Sequence, residues 1–250
     1  MIFIFLPKKI FVPVSHGWDE IGDFMVNNSK AFTIAKYAII FAIIFVAMMI
    51  DTAISFIPLG FSMAVCVLLV TFAFCFLENK WSTGVLVGLF FGVSSFIKEF
   101  IKPSALLGQI LPAQYWLLVT IPPRILMAAG AFGAYRLLLL CTKKINNAKK
   151  RQATSITVAT FVGLLLNTTL FFSFVYLAKV IYINVEHVEI VNDTVWYLFY
   201  ISFLKNILPE YSVSLAFIAM ITLGVRRGLK LGIDGNNWKR AKQADEQTEI

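Results

Sequence analysis

The chain has 250 residues, 59% of them hydrophobic and 14% charged, against roughly 45–50% and about 25% in soluble globular domains, and its mean hydropathy is +0.79. That balance excludes an ordinary soluble domain and favours runs of about 20 apolar residues, each able to cross a hydrocarbon core of roughly 30 Å. The net charge of +8 is read first as a topology marker and a contact for anionic headgroups, which moves nucleic acid well down the list of partners.

Residues 1–30 open with a short apolar stretch, Met1 to Leu6, closed by Pro7-Lys8-Lys9. It is too short to span, and its positive charges follow the apolar part, the reverse of a signal peptide. With His16, Asp19, Glu20 and Asn27-Asn28 behind it, this segment is expected to be a cytoplasmic or interfacial extension.

The first long apolar run is Phe32 to Ile54, with Lys36 near its start and Asp51 near its end, before the breaker Ile57-Pro58-Leu59-Gly60. The second covers Phe61 to Leu77 and stops at Glu78-Asn79-Lys80; the third runs from Trp81 to Ile97 and stops at Lys98-Glu99. The fourth, Tyr115 to Cys141, contains Pro122-Pro123-Arg124, and the prolines predict a kink or a helix start there. A basic stretch, Lys143 to Arg151, precedes the fifth run, Ala153 to Ala178. An acidic segment, Asn184 to Asp193, and an aromatic one, Val195 to Leu204, lead to the sixth, from Pro209 to Arg226-Arg227. The expected fold is an all-α membrane protein with six transmembrane helices over residues 31–230 and a polar tail over 231–250.

Placing alternate connections on opposite sides puts seventeen of the twenty-two Lys and Arg residues on one face, leaving Lys98, Lys102, Arg124, Lys179 and Lys205 on the other. Cytoplasmic flanks carry such an excess, so both termini are expected to be cytoplasmic.

Two small-residue stripes stand out. Ala31, Ala35, Ala38 and Ala42 recur on one side of the first run, either as an approach surface for another helix or as internal packing. Gly84, Gly88 and Gly92, with Ser95 near the same face, favour internal packing, because each glycine costs a helix roughly 1 kcal/mol unless a neighbouring backbone uses the space.

Arg124 is the most informative residue, since a guanidinium inside a span normally faces a partner or a watery cavity. Counting along the runs places Arg124, Asp51, Glu210 and Asn167, with Thr168 and Thr169, between midplane and exterior. The alternatives are a solute-binding cluster or a register-fixing ion pair of Arg124 with Asp51 or Glu210. Tyr115, Trp116, Trp196, Tyr197, Tyr200 and Tyr211 crowd the same side, as interfacial rings or as a lid.

An intramembrane enzyme should show its apparatus, and the chain has no GxSxG, no HExxH and no GxxxxGK[ST] loop; both histidines, His16 and His187, are in polar flanks. Cys66, Cys75 and Cys141 have no CxxC spacing, so they are read as small buried apolar side chains, with no disulfide and no metal site. No enzymatic activity and no cofactor are expected. A small binding or transport unit remains.

The ordered set AIIFA (38–42), IPLGF (57–61), GVLVGLFFGVSSF (84–96), PPRIL (122–126), GLLLNTTL (163–170) and NILPE (206–210) resembles the substrate-binding S component of energy-coupling-factor (ECF) vitamin transporters. The resemblance covers roughly residues 31–230. It implies a six-helix protein of a bacterial plasma membrane that binds a vitamin from outside. Its partners would be a transmembrane coupling subunit and two cytoplasmic ATPases. It implies a coupling-subunit interface at Ala35, Ala38 and Ala42, the last two matching the family's AxxxA. It also implies an outer pocket, with Arg124, Asn167, Glu210, Asp51, Tyr115, Trp116 and Asn206 as solute contacts. Residues 1–30, the turn Glu78-Asn79-Lys80 and the long loop from Glu186 to Lys205 depart from the family's compact pattern. Pantothenate is the leading ligand, ahead of folate, pyridoxine and riboflavin.

Overall fold

A computed structural model describes residues 29–54, 64–77, 80–103, 107–108, 111–142, 148–186 and 211–228, and among them every regular element is helical. The helices are α1 (Ser29–Ile54), α2 (Val65–Cys75), α3 (Trp81–Ile101), α4 (Trp116–Cys141, entered through a 3₁₀ turn at Ala113–Tyr115), α5 (Ala148–Glu186) and α6 (Ser212–Gly228). Thr33–Ile54, Trp81–Ile101, Ala113–Cys141 and Lys150–Val185 are long and apolar enough to cross a membrane. That is the character of an integral membrane protein. The tail 231–250, residues 1–28 and most of the 184–208 segment, with Trp196, Tyr197 and Tyr200, lie outside the described residues.

Several helix limits differ from the apolar runs. α1 begins at Ser29, a turn before Phe32 and inside the stretch assigned to the extension. α3 continues past Lys98-Glu99 to Ile101, and α5 spans 39 residues where the apolar run holds only Ala153 to Ala178. Lys, Arg and Gln sustain a helix nearly as well as Ala, so hydropathy marks where a helix meets lipid and not where it ends. At about 58 Å, α5 is much longer than the hydrocarbon core. By contrast α2, with 11 residues, and α6, with 17, measure about 16 and 25 Å, both short of that core.

α4 is a continuous helix through Pro122 and Pro123. The two rings remove the amide bonds that would reach the carbonyls of Leu118 and Val119, within two turns of the helix start. Such a gap is tolerated where protein surrounds it, and Val119 and Pro123 are both buried.

By its internal contacts the chain divides into residues 1–40 and 41–250; of the first, the description covers the beginning of α1, where Lys36 Nζ sits 4.5 Å from the ring centroid of Tyr37. The second is built around α3, α4 and α5. Space left by glycine lets α3 lie against the backbone of α4: a Cβ on Gly88 would fall 2.7 Å from the Arg124 carbonyl oxygen, and one on Gly92 2.9 Å from Ile121 Cα. The glycine stripe is therefore spent on internal packing. Thr142 with Ser155, Arg124 with Asn167 and Tyr115 with Tyr182 are successive α4–α5 contacts whose numbers rise on one helix as they fall on the other, so these helices are antiparallel.

α2 closes the core. Phe72, Phe76, Phe132 and Tyr135 are fully buried, Phe76 and Tyr135 have ring centroids 5.1 Å apart, and the Cys75 thiol donates to the Ala128 carbonyl at 3.4 Å. Gly163 of α5 faces the Phe72 ring and Ala131, the point where α2, α4 and α5 meet. Of the three free cysteines, only Cys75 is buried; Cys66 is half-buried and Cys141 exposed. The reading of all three as buried is corrected for the other two, and at the end of α4 Arg136, Leu137 and Leu140 are exposed with Cys141.

Candidate functional site

Arg124 stands one residue after the proline pair, and its Nη1 donates to Asn167 Oδ1 on α5. The guanidinium carbon lies 4.9 Å from the ring centroid of Phe91 on α3 and 5.2 Å from that of Phe171 on α5. The packing explains the arrangement. Gly88 and Gly92 bring α3 against α4 at this level, and Phe91, between them in sequence and 2% exposed, is carried to the guanidinium. Phe171 follows Asn167 by one helical turn, so one face of α5 supplies both an acceptor and a ring. Each ring face attracts the cation, by about 0.5–2 kcal/mol according to desolvation. Arg124 and Asn167 are half-buried, so the group lies at the boundary between core and accessible surface.

One turn along α5, the Tyr211 hydroxyl at the start of α6 donates to the Leu164 carbonyl at 2.8 Å and lies 3.0 Å from the Thr168 hydroxyl. Tyr211 is itself 7% exposed, and its ring meets Phe161 edge-on at 6.3 Å. It is a tether between α5 and α6 rather than an interfacial ring. Thr169, the third polar residue of the run, is exposed and its hydroxyl donates back to the Leu165 carbonyl at 2.8 Å.

Asp51 is elsewhere. Its two carboxylate oxygens accept from the backbone amides of Cys66 at 3.1 Å and Val67 at 2.7 Å, satisfying donors that the first turn of α2 leaves without helical partners. Its carboxylate is thus a remote cap for α2, in place of the ion pair with Arg124 considered above. Nearby, the Thr52 hydroxyl donates to the Met48 carbonyl at 2.7 Å.

Tyr115 and Trp116 form a second group, two turns before Arg124 on α4. Trp116 is buried, and its indole N–H donates to the Leu111 carbonyl at 3.0 Å. It packs with Leu107, Val119, Val175 and Ala178, with Tyr115 and Tyr182 at the margin. Of the expected contacts, then, Arg124 and Asn167 come together, Asp51, Tyr115 and Trp116 serve other contacts, and Glu210 and Asn206 lie outside the described residues. Phe91 and Phe171 escaped the sequence reading, although Phe91 shares the face of the glycine stripe and Phe171 lies four residues after Asn167. The capping role of Asp51 has no local signal, because its partners are 15 and 16 residues away.

Ala35, Ala38 and Ala42 are exposed, together with Ile39, Ile43, Val46 and Ile50 on α1. Among the described residues no group of three or more His, Cys, Asp or Glu side chains is placed to hold a metal ion. No family model, curated protein or solved structure matches the chain.

Proposed function

We propose that the chain serves as the substrate-binding S component of an ECF-type importer in the cell membrane. In this reading it crosses the bilayer six times with cytoplasmic termini. It takes a vitamin or related micronutrient from outside and passes it inward by docking on a coupling subunit driven by two ATPases. The observation that carries the reading is the half-buried Arg124, presented by Asn167 between two aromatic rings in the interior of α4 and α5. A guanidinium at such a depth normally serves a ligand or a partner, and it receives a carboxylate by charge-assisted hydrogen bonds. That chemistry suits pantothenate, with folate, pyridoxine and riboflavin behind it. The ordered resemblance of six segments supports the family, the lysine and arginine bias supports the orientation, and the exposed Ala35, Ala38 and Ala42 suit a coupling-subunit contact.

A second reading, a membrane structural or sensory protein without a small-molecule ligand, is favoured by a different observation. Asp51 is engaged as a cap and Arg124 is stacked between rings, which is also how a register-fixing network looks. Thermal unfolding of the purified chain with a panel of vitamins separates the two. A ligand at 100 times its dissociation constant stabilises by about 2.7 kcal/mol, and pantothenate is expected to give the largest shift. No shift with any vitamin would favour the second reading.

A further inference from the structure

The end of α4 and the start of α5 lie side by side, where the Thr142 and Ser155 hydroxyls are 3.3 Å apart. The sequence between them is basic, with Lys143, Lys144, Lys149, Lys150 and Arg151, and no aspartate or glutamate occurs from residue 100 to residue 185. Neither α4 nor α5 therefore supplies this end with a counter-charge before Glu186. Arg151 stands in the first turn of α5 and is half-buried. Its Nε is buried without a hydrogen-bond partner, while its terminal nitrogens reach the surface, so packing of the stem fixes where the guanidinium emerges. From Arg151 one strip of α5 continues through Thr154, Val158 and Phe161, all three exposed, at steps of three, four and three residues. The strip is polar at the helix start and apolar further in. The apolar run of α5 opens at Ala153, so Arg151 stands where hydrocarbon gives way to headgroups. From Arg151 to Phe161 the helix rises about 15 Å, the depth of one leaflet in a core of roughly 30 Å.

We propose that this strip retains one acidic phospholipid, with its phosphate on Arg151 and an acyl chain along Val158 and Phe161. The terminal nitrogens of a guanidinium meet a phosphate through two parallel N–H bonds, a match that an ammonium lacks. Thr154, one turn along, adds a hydroxyl donor on the same face, and the first turn of a helix favours an anion through its aligned peptide dipoles. Charge and shape select the occupant together. A free oxyanion would use Arg151 and leave Val158 and Phe161 without a role, and a neutral lipid would use the apolar half and leave the basic end uncompensated. The strip does not include Arg124 or Asn167, and the proposal holds whether or not the chain is a transporter.

The test uses the full chain in nanodiscs mixing phosphatidylcholine with phosphatidylglycerol, and native mass spectrometry reads the lipid that stays bound. The wild type is expected to hold one phosphatidylglycerol about fivefold more strongly than phosphatidylcholine, the worth of one cation near an anionic surface. Arg151→Gln should abolish that preference. Arg136→Gln, which removes an equal and exposed charge from α4, should leave it in place. An equal loss in both variants, or no preference in the wild type, overturns the proposal. Displacement of the lipid by sodium phosphate, but not by sodium chloride of equal ionic strength, assigns Arg151 to a free oxyanion and overturns it as well. A measurement on the wild type alone depends on no variant. With methyl-labelled valine, a spin label on the acyl chain of phosphatidylglycerol should broaden the Val158 signal several-fold more than the same label on phosphatidylcholine, and equal broadening overturns the proposal.

Discussion

Arg124 and Asn167 are joined across the α4–α5 interface by a hydrogen bond from the guanidinium Nη1 to the amide Oδ1, at a level where Phe91 and Phe171 flank the cation. A charged donor and a neutral acceptor held between rings form a rigid unit, and the consequences of removing either half differ.

Asn167→Leu deletes the acceptor and leaves the charge, so it is expected to destabilise by about 1.5–3 kcal/mol, the usual worth of a hydrogen bond to a charged group. Arg124→Met removes the charge and keeps much of the stem packing. Combining the two should cost clearly less than their separate effects added together, in a double-mutant cycle read by thermal unfolding. Simple additivity would mean that the pair does not act as a unit.

Two glycine-to-alanine changes should move stability in opposite directions. Gly88→Ala places a methyl 2.7 Å from the Arg124 carbonyl oxygen and 2.9 Å from Ile125 Cα, both backbone atoms that cannot turn aside. Overpacking of this kind costs about 1–3 kcal/mol. Gly224→Ala meets nothing within 4 Å and lies inside α6, so it should stabilise by up to about 1 kcal/mol. Unfolding midpoints of the two variants, measured side by side, check the contrast.

Asp51→Ala removes the acceptor of the Cys66 and Val67 amides and is expected to cost about 1 kcal/mol, up to about 2. Hydrogen exchange at those two amides should accelerate more than exchange elsewhere in α2. Asp51→Asn, which keeps one carbonyl acceptor, should lie between the two. Uniform protection of α2 in Asp51→Ala would show that the carboxylate does not hold the start of the helix.

If α1 meets a coupling subunit, Ala38→Leu with Ala42→Leu should abolish vitamin uptake in cells carrying the whole transporter while leaving solute binding by the isolated chain unchanged. Both alanines are exposed, so larger side chains meet no crowding inside the chain. Uptake that survives the double substitution would remove the docking role.

The outline of the bundle is legible along the chain. α3 and α4 start within a residue of the expected positions, because Lys80 and Pro112 precede them and long apolar runs follow. The ends of α5 are not legible, since charged residues extend a helix as readily as they flank a span. α2 differs in the other direction: among the described residues of the apolar run from Phe61 to Leu77 the helix covers the 11 residues Val65–Cys75, and its first turn is held by a carboxylate from α1. At the site, counting placed Arg124, Asn167, Asp51 and Glu210 together between midplane and exterior, yet it named Asp51 or Glu210 as the partner of Arg124, whereas Asn167 accepts its hydrogen bond and Asp51 caps α2. Depth is a property of one helix, and partnership depends on how two helices are rotated about their axes.

Composition and periodicity by themselves determined that this is a chain of apolar helices suited to a membrane, with a guanidinium inside one of them and a glycine face that must pack. Those features follow from transfer free energies and helix propensity, which act residue by residue. Only the tertiary structure decided that Phe91 and Phe171 enclose the guanidinium, that Asp51 caps α2, that Tyr211 ties α6 to α5 and that Lys179 is buried. Each of these joins residues from different helices or covers one with several, and such contacts depend on rotation and register that close packing of the whole bundle selects.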